Sequence, residues 1–177
     1  MRSFHPRVGQ LLTSVAIVFT ASASAQHGDM RYFTGTWDFK IWGTSDVSGP
    51  PALTGAWMLE SGLDSALALV GRVVLDDGPN AVGGDFTREL IAFDAHTKAF
   101  TRTIVTNAGG YYFFTSTGWE GDRITWTGSQ HSAAGTIELR EEIECTGPDS
   151  FNAVFYRKEG EAWLVQTREK LQRTGKH

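Results

Sequence analysis

Three stretches of the chain set a charge between apolar neighbours two residues away, the spacing that puts side chains on one face of a β-strand. Phe86-Thr-Arg88-Glu-Leu90 places Arg88 between Phe86 and Leu90, and Phe100-Thr-Arg102-Thr-Ile104 repeats the arrangement with Arg102. Leu139-Arg-Glu141-Glu-Ile143 does the same for Glu141 and leaves Glu138, Arg140, Glu142 and Glu144 to the opposite face. Near the C-terminus Trp163, Val165, Thr167, Glu169 and Leu171 alternate, so Glu169 shares a largely apolar face. Burying an isolated charge costs several kcal/mol, so inward-facing members of this set must pair, or meet water or a ligand. Two arginines and two glutamates are therefore expected in one interior. The inverted register of the first stretch, with Glu89, Ile91 and Phe93 inward, reads nearly as well and sends Arg88 to solvent.

Other catalytic chemistry lacks its usual signatures. The sequence has no nucleophile elbow, no phosphate-binding glycine loop and no paired-histidine or paired-cysteine metal spacing. Of the histidines, His5 lies ahead of the N-terminal apolar run, His27 falls in the lead-in, His177 is the last residue, and His96 belongs to a turn. His131 lies in the loop-like Gly128-Ser-Gln-His-Ser132, the one histidine expected near a barrel mouth. Cys145 is the only cysteine, which rules out an intramolecular disulfide. It closes an alternating segment with no basic neighbour to activate a thiolate, so it is expected in the core. No catalytic residue, metal or cofactor is assigned.

The elements that must position the charges are strands. Short runs rich in Val, Ile, Thr and aromatic residues recur at 35–42, 53–60, 66–75, 86–93, 100–106, 111–117, 123–127, 136–145, 151–157 and 163–171. Gly-, Asp-, Asn- and Pro-rich breaks such as Asp76-Asp-Gly-Pro-Asn80, Asp94-Ala-His-Thr-Lys98 and Gly147-Pro-Asp149 separate them, where a reversing chain needs a preset or positive φ. No segment sustains helical periodicity for three turns, although 29–34 suits one short turn. The expected fold is all-β: an antiparallel up-and-down barrel of about 8–10 strands, closed because closure removes sticky edges. A two-sheet β-sandwich is the alternative.

Gly35-Thr-Trp37, directly after Tyr32-Phe33, resembles the glycine–any–tryptophan signature on the first strand of the lipocalin-like calycins. Arg173, in Leu171-Gln-Arg173, matches the arginine near their last strand. Gly71-Arg72-Val-Val, Phe93-Asp-Ala-His-Thr-Lys-Ala-Phe100 and the final strand also resemble a bacterial exported family of lipocalin-like domains of unknown function. The resemblance implies a barrel with Trp37 plugging one end beneath Arg173, and Tyr32 and Phe33 finishing the plug.

Residues 1–25 read as a cleaved signal peptide. Arg2, His5 and Arg7 precede the apolar Leu11–Ala21, and Ala21-Ser-Ala-Ser-Ala25 offers the small residues a signal peptidase accepts. Cleavage after Ala25 leaves residues 26–34 as a lead-in, 35–174 as the barrel, and no integral membrane segment. The formal charge of −4 then falls to about −6, since two arginines and no acid are lost; nothing in this balance invites nucleic acid. The expected function is a periplasmic or secreted carrier for a small apolar or amphipathic molecule. Arg88, Arg102, Tyr111, Phe113, Trp126, Glu141 and Glu169, with Trp57, are the candidate ligand-binding residues. In this expectation Arg102 meets a ligand carboxylate, and Glu141 accepts from a hydroxyl or amine. One alternative is an isomerase, cyclase or hydrolase using Glu141 with Arg88 or Arg102, for which a raised carboxylate pKa beside a cavity is the sign. Another is a structural or interaction module with a filled core.

Overall fold

Half-buried strands leave unpaired N–H and C=O groups at their edges, and a chain made almost wholly of such strands satisfies them by closing on itself. The computed structural model describes residues 29–43, 47–62, 67–79 and 81–175. The expected leader, with residues 26–28 of the lead-in, lies outside the described residues. Each expected strand is present: β1 (Gly35–Trp42), β2 (Leu53–Ser61), β3 (Ala68–Leu75), β4 (Gly84–Asp94), β5 (Ala99–Thr106) and β6 (Tyr111–Ser116) come first. After β7 (Trp119–Glu120) follow β8 (Arg123–Ser132), β9 (Gly135–Gly147), β10 (Ser150–Glu159) and β11 (Ala162–Gly175). Except for β6 and β7, each strand pairs antiparallel with the next in sequence; β1 pairs with β11 and β6 with β8, closing ten strands into an up-and-down barrel. The two-residue β7 is a spur on the start of β8. The turns follow their chemistry: Asp94 accepts from the amides of His96 and Thr97, and Lys98 takes a positive φ of 56°. Among the described residues no helix is long and apolar enough to cross a membrane.

One end is plugged. Met30–Phe33 forms a 3-10 turn capped by Asp29, whose carboxylate accepts from the Arg31 amide. The turn drops Tyr32 and Phe33 onto Trp37, which is fully buried and donates its indole N–H to the Phe33 carbonyl at 2.8 Å. Phe151 meets the Trp37 ring edge-on at 4.8 Å, and Trp119 stacks on Phe33 at 5.3 Å. The Arg173 guanidinium lies 4.0 Å from the Trp37 ring centroid, as the resemblance implied. Its nitrogens donate to Asp149 and to the backbone carbonyls of Thr34 and Tyr32. Gly35 makes this approach possible: its φ is +115°, and a Cβ there would sit 3.1 Å from the arginine and 2.4 Å from the Gly175 carbonyl. Cys145 is buried near the plug, and burial pushes its thiol up to about 11, in keeping with a core role.

Two bulges near the opposite end reset which side chains look inward. Val73 pairs with Thr87 while Val74 pairs with Asp85, so Phe86 is an extra residue in β4. Phe155 pairs with Thr167 while Tyr156 pairs with Val165, so Gln166 is extra in β11. At a bulge two consecutive side chains lean to one face. Phe86 with Thr87, and Gln166 with Thr167, accordingly all line the interior.

Candidate functional site

The lumen between the plug and the open strand ends holds a cavity of about 280 Å³, near the ~300 Å³ lower end of small-molecule pockets. A completely filled core is thereby excluded. Ile41, Leu53, Leu75, Phe86, Ile104 and Tyr112 line it from the strand ends opposite the plug. Deeper in, the lining turns polar with Glu89, Arg102, Glu141 and Glu169 among Trp57, Phe151 and Leu171.

Arg102 is the hub of the polar layer. Its strand β5 runs without a bulge against β4 and β6, so alternation carries Arg102 inward together with Ile104, as expected. The guanidinium Nε donates to Glu89 on β4 and Nη1 donates to Glu141 on β9; all three residues are buried. The second Glu89 oxygen accepts the Trp57 indole N–H at 2.8 Å. Trp57 and Trp126 flank the cation at 5.4 and 5.9 Å from their ring centroids. Arg102 thus spends two of its five N–H donors on charge-assisted bonds to carboxylates within the protein. Burial works against its charge, but Glu141 and Glu89 outweigh that and hold it protonated.

Glu169 differs from its companions. It reaches the cavity from β11, flanked across the strand by Ile41 and Ala153, and it takes a hydrogen bond from Thr167. No salt bridge to Glu169 occurs among the described residues. Burial, reinforced by the negative charge of Glu141 and only partly offset by Arg102, pushes its carboxyl up to about 8. Burial likewise pushes Glu141 up to about 7, with Arg102 pulling down against it. Beside this layer the Thr87 hydroxyl and the Trp126 indole N–H are buried with no hydrogen-bond partner among the described residues; Thr87 lines the cavity.

Three of the candidate residues leave the site. Arg88 points outward and pairs with Asp85 at 2.7 Å, because the Phe86 bulge lets Phe86 face the lumen while Thr87, Glu89 and Ile91 take the inward positions after it. Tyr111 and Phe113 are on the outer surface, with Tyr111 stacked on His131 at 4.5 Å; their partners in alternation, Tyr112 and Phe114, point in. His131 itself lies in β8, which continues to Ser132, and bonds Ser129 and Thr136. Trp163, expected on the Glu169 face, is turned outside by the Gln166 bulge and stacks with Arg140 at 5.0 Å. Arg102, Glu141 and Glu169 converge on the cavity, whereas Trp126 is buried behind Arg102 and does not line it. Glu89 and Thr87 join them. The inverted register of β4 was the signal for Glu89; nothing in the sequence marked Thr87. Among the described residues the cavity lining therefore holds one arginine and three glutamates, where two of each were expected. Among the described residues no cluster of His, Cys, Asp and Glu is arranged to hold a metal ion.

The fold and site together define a closed ten-stranded antiparallel barrel with a small apolar cavity and a charged layer at mid-depth. No protein-family model matches the chain, and no curated protein matches it in sequence. Among solved structures it is similar to Rv2717c from M. tuberculosis, with a TM-score of 0.55 and 13% identity over 81% of this chain and 93% of that one. That likeness speaks for the fold alone. Weaker likenesses are to designed barrels: a redesigned beta barrel, b11L5F_LGL (TM-score 0.44, 11% identity, 85% of this chain and 99% of that one), and EF1p2_mFAP2b bound to DFHBI (TM-score 0.39, 13% identity, 83% and 98%).

Proposed function

We propose that the protein is an exported, lipocalin-like carrier that holds a small amphipathic molecule inside its barrel. The observation that carries this is the cavity: about 280 Å³ lined by apolar side chains, with convergent polar groups on one layer. Such a layer costs stability relative to an apolar filling, so its retention calls for a use. Export rests on the N-terminal pattern of a positive start, an apolar run and Ala23-Ser-Ala25. Arg102 is not the ligand's anchor in this proposal, because Glu89 and Glu141 already occupy it.

Native mass spectrometry of the protein from its own cell envelope is expected to find a co-purifying small molecule that leaves on unfolding. N-terminal sequencing of the same sample is expected to begin at Gln26. A bare mass, together with no thermal shift across a panel of apolar and amphipathic compounds, overturns the carrier. One observation favours an enzyme of proton transfer on the same barrel: the elevated carboxyls of Glu141 and Glu169 beside the cavity. In that case Glu169 is the acid or base, since Glu141 is tied to Arg102, and incubation of the co-purified molecule with the protein converts it to a product.

A further inference from the structure

We propose that the cavity is built for an amphipathic cation, with an ammonium head against Glu169 and an apolar body among the aromatic rings above it. The inference rests on the carrier reading and specifies its ligand. Three observations point the same way. The interior carries three carboxylates against a single arginine, and that arginine is already bonded to two of them, which leaves Glu169 as the carboxylate with no cation. An anionic ligand would find no free cation at this depth, whereas a cation completes the charge balance. The cavity is also unusually aromatic: Phe39, Trp57, Phe86, Tyr112, Phe151 and Phe155 line it, and ring faces attract ammonium groups most strongly where water is excluded. Finally, the Thr87 hydroxyl is 7% exposed, lines the same cavity and has no hydrogen-bond partner among the described residues, so a polar group of a ligand can be met there.

Arg102 offsets the Glu169 charge only in part, so without a second cation a proton supplies the rest. The titratable groups facing the same space are Glu89, Arg102, Tyr112 and Glu141; Glu89 and Arg102 are held in their ion pairs, and burial raises the Tyr112 hydroxyl. Cation binding therefore displaces the Glu169 proton, and affinity for a permanent cation rises with pH, by up to about tenfold per unit while one proton is released per ligand.

The test uses benzyltrimethylammonium, whose charge does not titrate, alongside its neutral isostere neopentylbenzene and the anion 3-phenylpropionate. Calorimetry from pH 6 to 9 in buffers of differing ionisation enthalpy reads both affinity and proton release. The cation is expected to bind at least tenfold tighter than either comparison compound at pH 9, and to release a proton at pH 7. Glu169→Gln keeps the side chain's size and removes its charge; it is expected to lose tenfold or more for the cation, lose the pH dependence between pH 8 and 9, where Glu141 (about 7) is already ionised, and leave neopentylbenzene unaffected. Equal binding of the three compounds, or unchanged cation binding by Glu169→Gln, overturns the cation site and leaves the carrier standing. Binding by none of the three overturns the cation site and counts against the carrier as well.

Discussion

At the closed end of the barrel Trp37, Phe33, Tyr32, Phe151 and Trp119 pack ring on ring, with the Trp37 indole N–H and the Tyr32 hydroxyl both donating to backbone carbonyls. Midway along, the same kind of inward positions carry Glu89, Arg102, Glu141 and Glu169. Both regions use a buried arginine over a tryptophan, yet they do opposite things with it. Arg173 caps apolar surface and spends its donors on Asp149 and two carbonyls. Arg102 gathers carboxylates that have no other cation. The plug is where stability is made. The charged layer is where it is given up to keep a polar group in an apolar well.

The comparison breaks if the two regions respond alike to mutation and pH. Trp37→Ala is expected to cost about 3–5 kcal/mol in chemical denaturation, by the same amount at pH 5 and pH 8, since only packing is lost. Arg102→Met is expected to cost about 3–5 kcal/mol at pH 8, because two buried carboxylates lose their cation, and distinctly less at pH 5, where Glu141 takes up a proton. A pH-independent loss for Arg102→Met would mean that the layer is solvated after all.

Glu169 sharpens the contrast with a change of sign. Its folded carboxyl is raised from an ordinary 4.5 to about 8, so the folded state binds the proton more tightly than the unfolded one. Stability is therefore highest below about pH 4.5 on this account and falls as pH rises through 8. Glu169→Gln is expected to stabilise the unliganded protein at pH 9 by on the order of 2 kcal/mol and to change little at pH 4. Thermal melts across that range check it. The smallest effect belongs to the plug: Arg173→Ala loses stacking and stem packing without opening a large cavity, and should cost about 1–2 kcal/mol.

Strand positions and barrel closure were legible because aromatic and β-branched runs broken by Asp and Gly leave few other foldings; β1 appears over Gly35–Trp42 as expected. The spur at Trp119–Glu120 was not, being too short to show alternation. In the site, β5 and β9 were read correctly because neither departs from period two where Arg102 and Glu141 lie. β4 and the start of β11 misled because each hides an extra residue, and a bulge leaves no mark in a pattern of apolar spacing. Tyr111 and Phe113 misled for another reason: Tyr111-Tyr-Phe-Phe114 is aromatic at every position, so composition cannot choose the inward pair. Gly55 carries a further lesson. Gly55-Ala-Trp57 repeats the Gly35-Thr-Trp37 spacing on the neighbouring strand, and Gly55 is needed there because a Cβ would come within 2.7 Å of the Phe39 ring.

The bulges at Phe86 and Gln166 also separate two tasks that a regular strand would tie together. In an unbroken strand, moving one side chain inward at the rim moves every second residue below it, charges included. Here the rim pairs Phe86–Thr87 and Gln166–Thr167 can exchange size and polarity while Glu89 and Glu169 keep their places beneath them. The barrel thus has a collar whose size and polarity can vary above a charged layer whose positions stay fixed.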